Sequence, residues 1–313
     1  MKRELGRSRT LCLSLALCLL PCIPAVVTKS FRIVSWNLLA PVYARTEKFF
    51  ATDPTYLQWT YRKPLIVKEI QKADSEIVCL QEVQIDLWDS FAAELRLLGY
   101  NCVLQNVTRN HPIASAVLVK CDFADIVATE SRSRALIVVL QTVQNTIFLA
   151  NVHLEAGRGD DCDNTRFNQA KSLMKRINHH VNCFKNETSD PCILMAGDFN
   201  MLQSNPVYKL LKHGKLPRGH QLSKRKVINI PLLPLLDAYR IRPPKDGLAR
   251  MTYTNGYVLD YIWISDALEP ISTWKSHADM SETKRAAWPS YNHPSDHLPI
   301  GATLSIRRPT LAA

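Results

Sequence analysis

The sequence predicts an α/β protein of packed sheets with helices on their outer faces, and three observations carry that expectation. Apolar runs of strand length recur eight times, helical periodicity occupies four segments, and polar residues stand at the ends of several apolar runs. A doubly wound parallel sheet would alternate strands and helices more evenly than this chain does.

In chain order, the strand-length runs are Phe31 to Trp36, Glu76 to Leu80, Ser115 to Val119, Ala135 to Leu140, Thr146 to Val152, Cys192 to Ala196, Val258 to Ile264 and Ile300 to Leu304. Helical periodicity covers Pro64 to Ala73, Asp86 to Leu98, Thr165 to Val181 and Pro206 to His213. The first and last of these place a proline where a helix starts, a position that its missing N–H tolerates.

The 313 residues are 46% hydrophobic and 21% charged, enough for a substantial core. No internal repeat, low-complexity tract or linker divides the polar clusters, so residues 29–313 are expected to form one catalytic domain. Residues 1–28 look like a targeting segment: a basic stretch to Arg9, the apolar run Leu11 to Leu20, then small residues around Ala25. That order suits a secretory signal peptide, and a mitochondrial presequence is the alternative. The apolar run is too short for a stable membrane span.

Six cysteines lie beyond the leader, Cys79, Cys102, Cys121, Cys162, Cys183 and Cys192, and none form a Cys-x-x-Cys pair. Disulfides therefore stay open while a zinc knuckle does not fit, and Cys79 in Ile-Val-Cys-Leu suits a reduced core position. The sequons at Asn106 and Asn186 would be glycan acceptors on a secreted chain. Net charge is +11, a balance that attracts polyanions such as nucleic acid or phosphorylated cofactors.

The polar run ends carry the chemistry. Glu82 follows Ile-Val-Cys-Leu-Gln and Asn37 follows Arg-Ile-Val-Ser-Trp, a carboxylate and a carboxamide that could form part of a Mg²⁺ shell. Asp198 and Asn200 in Gly-Asp-Phe-Asn lie two apart, so on an extended segment they would face the same way and could serve water and a phosphoryl oxygen together. An Asx-type turn is the alternative use of that pair. His297 needs a carboxylate on one ring nitrogen to act as base or charge stabiliser, and Asp260 is the candidate. His153 ends another apolar run and could donate to a phosphate oxygen.

Trp-Asn-Leu-Leu-Ala, Trp59-x-Tyr-Arg-Lys, Leu-Gln-Glu-Val, Asn-Val-His-Leu, Gly-Asp-Phe-Asn, Pro-Val-Tyr-Lys-Leu-Leu, Leu-Asp-Tyr-Ile-Trp and Pro-Ser-Asp-His-Leu, in that order, resemble the endonuclease/exonuclease/phosphatase superfamily. Within it the chain is most similar to the branch that holds nocturnin and the carbon-catabolite-repression deadenylases. The resemblance spans Phe31 to about Leu304. It implies a four-layer α/β sandwich, two mixed β-sheets packed face to face with helices outside. It also implies Mg²⁺ or Mn²⁺, one or two ions, with Glu82 as principal ligand, Asn37 close by and Asp296 completing the shell. Asp198 and Asn200 would position water and the scissile phosphate, His297 would pair with Asp260, His153 would serve the phosphate, and Arg166 would touch a substrate phosphate.

Two departures bear on substrate. His111 to Ala116 stands where deadenylase-like members carry an acidic-Gly-Cys-Ala segment, and the position near Asn106 lacks the lysine of nocturnin-like members. The basic stretch Lys212 to Lys226 could guide a nucleic-acid backbone or simply be a solvated insertion. Trp59 and Tyr61 could stack on a base, with core packing the plainer reading.

The resulting expectation is a Mg²⁺-dependent 3′-exoribonuclease or deadenylase-like phosphodiesterase, with RNA or a nucleotide as substrate and no obligate protein partner. The alternatives are a nocturnin-like NADP(H) 2′-phosphatase, a secreted DNase-like nuclease and a catalytically silent binding module.

Overall fold

The computed structural model describes residues 30–107, 111–184, 190–216, 228–229, 234–245, 251–254, 256–274 and 288–307. The leader, Thr108, Asn186 and Thr188 of the sequons, and Arg218, Lys224, Arg225 and Lys226 of the basic stretch lie outside them.

In chain order the elements are β1 (Phe31–Asn37), α1 (Pro54–Leu57), α2 (Trp59–Ala73), β2 (Ile77–Gln84), α3 (Trp88–Leu97), β3 (Tyr100–Leu104), β4 (Ile113–Lys120), β5 (Asp125–Arg132), β6 (Ala135–Gln141) and β7 (Thr146–His153). They continue with α4 (Asp160–Phe184), β8 (Cys192–Asp198), α5 (Pro206–His213), β9 (Lys215–Leu216), β10 (Ile228–Asn229), β11 (Leu236–Asp237), α6 (Ala238–Ile241), β12 (Asp260–Ile264), β13 (Leu268–Thr273) and β14 (Ile300–Ile306). One six-stranded sheet runs β13-β14-β1-β2-β4-β3, the other β11-β12-β8-β7-β6-β5. Each is mixed, with β1–β2 parallel in the first and β7–β8 parallel in the second.

Side-chain alternation along the strands builds the layers. Ile33, Ile77, Cys79 and Val117 of the first sheet meet Leu136, Val138, Leu149, Leu194 and Ile262 of the second in one buried cluster. The intervening residues face outward: Val34, Trp36, Val78 and Leu80 pack under α2 and α3 through Ile66, Ile70, Phe91 and Leu95. Ile137, Phe148, Ile193 and Met195 likewise lie under α4 and α5. The result is helix, sheet, sheet, helix, the four-layer sandwich expected.

All eight expected strands form. Six of the described strands are unforeseen, for physical reasons: β9, β10 and β11 are two residues each, too short to show a period, and β3, β5 and β13 are outer strands of their sheets, β5 with no fully buried residue and β13 holding Pro270 beside a register shift. α2 corrects the placement of Pro64, which sits in the second helical turn rather than at its start. The helix begins five residues earlier, where Gln58 O accepts from Tyr61 and Arg62 N–H. The carbonyl that Pro64 cannot serve is that of Thr60, on an exposed residue where solvent can replace it. α5 starts at Pro206 as expected, with Asn205 Oδ1 accepting from Val207 N–H at 2.9 Å.

The six cysteines are unpaired thiols, with Cys79 and Cys192 buried. No helix among the described residues is long and apolar enough to cross a membrane.

Candidate active site

Parallel and antiparallel pairing bring three functional side chains side by side. β8 ends at Asp198, which stands opposite His153 on β7 and opposite Asp260 on β12. Gly197, immediately before, has φ 151°, and a Cβ there would lie 1.9 Å from Val152 O, so this close approach of backbones admits only glycine.

The first sheet supplies the facing wall. β2 shifts register between Leu80 and Val83, and Glu82 within that irregularity takes φ 55°, which turns its carboxylate off the strand. Asn37 at the tip of β1 joins the two sheets: its Nδ2 donates to Glu82 Oε1 and to Asp198 Oδ2, both at 3.1 Å, while its Oδ1 accepts from Leu39 N–H. Beneath it a buried carboxamide pin repeats the link, Gln81 Nε2 donating to Asn151 Oδ1 at 2.7 Å and Asn151 Nδ2 to Leu80 O and Ala116 O.

The loop bearing Asp296 and His297 is anchored from below. Trp36 Nε1 donates to His297 O, and Ser295 Oγ donates to Asn37 O. Arg62, fully buried, donates to the carbonyls of Leu38, Leu39, Leu57 and Pro294. Burial pushes the Arg62 guanidinium down to about 10, against the pull of Asp296 and Glu82, so it remains a cation at neutral pH.

His297 Nδ1 lies 2.9 Å from Asp260 Oδ2, the pairing expected, and its Nε2 points toward Asp198 Oδ2 at 3.7 Å. Burial alone would lower the imidazolium pKa, but Asp260, Asp198 and Asp296 outweigh it and hold it at about 10. Tyr253 packs on the ring at 4.8 Å. Burial raises the Asp198 carboxyl, His297 and His153 oppose that, and Asp260 adds to it. Asp296 is raised in the same way by burial, with His297 opposing, Glu82 adding and Lys48, 3.6 Å away, opposing more weakly.

Asp198 and Asn200 depart from the extended arrangement. Asn200 has φ 50°, its N–H donates to Asp198 Oδ1 at 2.8 Å, and its Nδ2 donates to Leu154 O. The pair forms the Asx turn, and that turn still leaves Asn200 on the cavity wall. His153 Nε2 stands 3.9 Å from both Glu82 Oε1 and Asp198 Oδ2. Arg166 is buried, its Nη atoms held by Glu155 O, Gly157 O and Asp163 Oδ1, while its Nε has no partner.

Of the residues expected at the site, Glu82, His153, Arg166, Asp198, Asn200, Asp296 and His297 line one cavity of about 600 Å³, while Asn37 and Asp260 stand behind its wall. Its wall also includes Lys48, Arg158, Tyr253 and Tyr257, with Arg158 stacked over Tyr257 at 5.0 Å. Sequence patterns did not single these four out, because they sit on loops with no periodicity. Arg62 was visible only as a letter in a motif.

Among the described residues, Asp198, Asp260 and His297 form a buried group whose ligand atoms all lie within 4.8 Å and which could hold a metal ion. The donor chemistry fits a hard divalent cation better on the other side of Asp198. Glu82, Asp198 and Asp296 offer carboxylate oxygens to the same cavity, and burial raises two of them although Lys48, Arg62 and the two histidines stand nearby.

The model of the Endonuclease/Exonuclease/phosphatase family matches residues 34–297. Among curated proteins, the chain is 26% identical to carbon catabolite repressor protein 4 homolog 4 of Arabidopsis thaliana, covering 89% of this chain and 78% of that protein. It is 29% identical to protein angel homolog 2 of Mus musculus, over 65% of this chain and 43% of that protein, so it spans less than half of that relative's length. Among solved structures, ANGEL2, a 2′,3′-cyclic phosphatase, bound to adenosine-2′,3′-vanadate superposes with a TM-score of 0.74 at 23% identity, covering 88% of this chain and 96% of that one. The human nocturnin catalytic domain with bound sulfate gives 0.63 at 23% identity, covering 89% and 94%.

Proposed function

The chain belongs to the Endonuclease/Exonuclease/phosphatase family, and from that premise we propose that it is a divalent-metal-dependent phosphodiesterase acting on RNA, a 3′-exoribonuclease of the deadenylase kind. The observation that carries the proposal is Asn37, whose one amide nitrogen ties the Glu82 and Asp198 carboxylates of two separate sheets at the wall of a single cavity.

In this reading Glu82 and Asp296, with Asn37 beside them, would hold Mg²⁺ or Mn²⁺, which would supply Lewis-acid polarisation of a phosphoryl oxygen and neutralisation of developing charge. Asp198 Oδ2, between Asn37 and His297, orients the attacking water for in-line displacement and draws on its proton. His297, held cationic by Asp260, donates to a phosphoryl oxygen, and the preformed pair needs no reorganisation as charge builds. His153 and Asn200 flank the same phosphate, and Arg166 on the cavity wall adds a cationic charge toward a second phosphate. Arg158 and Lys48 add positive charge at the wall.

A second reading, removal of a terminal nucleotide phosphate as in an NADP(H) 2′-phosphatase, is supported by the cavity itself, whose roughly 600 Å³ suits one bound nucleotide. A panel of poly(A) RNA, mixed RNA, 2′,5′-linked oligoadenylate, DNA, a 2′,3′-cyclic nucleotide and NADPH, with Mg²⁺ and with chelator, separates the two. Release of 5′-nucleotides from RNA supports the first, and free phosphate from NADPH with indifference to RNA replaces it with the second. Residues 1–28 would route the enzyme to the secretory pathway, with mitochondrial import as the alternative.

A further inference from the structure

The Trp-x-Tyr-Arg-Lys motif sends its two aromatic residues in different directions. Trp59 turns inward, edge-on to Phe91 with ring centroids 5.5 Å apart. Tyr61 turns toward the site: its ring lies 5.1 Å from that of Tyr56, and its hydroxyl donates to Tyr291 O at 2.9 Å. Tyr291 is 66% exposed and stands five residues before Asp296 of the cavity wall. From another chain segment at that wall, Lys48 reaches Asp296, and two residues on, Phe50 is 90% exposed. Phe49 between them is buried with Leu39 and Leu57, so the loop is pinned and the Phe50 ring is held out in water.

An exposed aromatic on an anchored loop gains nothing from burial; Phe50 and Tyr291 are two such residues, accompanied by the half-buried Tyr56 and Tyr61, and aromatics near a phosphate-binding cavity suit a strand of bases, every one of which has a π face. We propose that Phe50, Tyr56, Tyr61 and Tyr291 form a stacking rim for nucleotides of a single-stranded RNA beyond the scissile phosphate. The inference rests on the phosphodiesterase reading and adds that the substrate is a polymer rather than a dinucleotide cofactor. Local charge refines it. Arg45 and Lys48 are offset here by Glu47 and Asp53, so the rim contributes stacking rather than counterion release, and the affinity it adds depends little on salt.

The test uses the full chain with Mg²⁺. Fluorescence anisotropy measures Kd for phosphorothioate-linked oligoadenylates of two and about ten nucleotides, at about 50 and 200 mM salt. The longer strand is expected to bind at least about tenfold tighter, with that ratio preserved across salt. Phe50→Ala/Tyr291→Ala should weaken decamer binding by about tenfold, and Phe50→Trp, which keeps a flat ring, should retain it. Both alanine positions are exposed, so the variant should fold. Equal Kd for the two lengths, or a decamer advantage that survives in the double variant, overturns the rim. Metal-dependent hydrolysis of the unmodified dinucleotide, measured alongside, reads the underlying activity separately. Turnover without any length preference keeps the phosphodiesterase and removes the rim. No turnover of either length removes both.

Discussion

Two histidine–carboxylate pairs among the described residues have the same spacing and different surroundings. His297 Nδ1 lies 2.9 Å from Asp260, and His180 Nε2 lies 2.9 Å from Glu130. The first pair is buried, with Asp198 beyond the imidazole and a large cavity in front of it. The second lies at the far edge of the sheet that carries Asp260, on the outer strand β5, where Arg176 donates to both oxygens of Glu130 and saturates it. Distance alone therefore does not mark chemistry. What separates the pairs is whether a further ionisable group and an accessible cavity remain on the far side of the ring.

The sharpest way to break the contrast is to remove the groups on the cavity side. Glu82→Gln keeps the shape and loses the charge, and should lower kcat by about a thousandfold or more with a melting temperature close to wild type, as steady-state kinetics and calorimetry would show. Asp260→Asn should cost about a hundredfold to ten-thousandfold in kcat, because an uncharged partner no longer fixes and charges His297. If Asp260→Asn keeps wild-type turnover, the two pairs are equivalent and the distinction fails.

Arg62→Met tests the support rather than the chemistry. It leaves four carbonyls without their donor, and urea denaturation should show a loss of about 3–5 kcal/mol, a range measured for broken buried ion pairs and taken here as an upper guide. Glu130→Gln, by contrast, should leave turnover intact and cost about 1 kcal/mol or less, since Arg176 stands in solvent.

The pairs also respond to pH on opposite sides of neutrality. Burial would raise the Glu130 carboxyl, but hydrogen bonds from Arg176 and His180 outweigh it and hold its pKa below the ordinary value of 4.5. A depressed folded pKa gives stability that is complete above 4.5 and is lost as pH falls through the folded value, and Glu130→Gln should erase that acid-side slope. His297 is the reverse. With its folded pKa raised from 6.5 to about 10, its contribution in chelator is complete below 6.5 and is lost as pH rises toward 10. Denaturation midpoints across pH 3 to 10 (approximate limits) in wild type and the two variants, Glu130→Gln and Asp260→Asn, read both slopes.

The sequence disclosed what depends on local pattern. Inner strands buried on both faces, such as β2 and β8, read as continuous apolar runs, and the polar residue ending each run was visible as a site candidate. It could not disclose what depends on tertiary pairing. Asn37 stands out by type, but the two carboxylates that its amide nitrogen bridges lie 45 and 161 residues away. Asn200 looked extended because the φ that turns it cannot be read from Gly-Asp-Phe-Asn alone. Arg62 and the Gln81–Asn151 pin act through buried carbonyls and amides that no periodicity marks. Lys48, Arg158 and Tyr257 reach the cavity only because their loops fold over it.

The central claim is that the cavity of Glu82, Asp198 and Asp296, and not merely a hydrogen-bonded histidine pair, is built around a divalent cation. Calorimetric titration of Mn²⁺ into wild type, Glu82→Gln and Glu130→Gln tests it most directly. The account predicts saturable binding that Glu82→Gln weakens by about tenfold or more and Glu130→Gln leaves unchanged. Equal Mn²⁺ affinity in wild type and Glu82→Gln would contradict it.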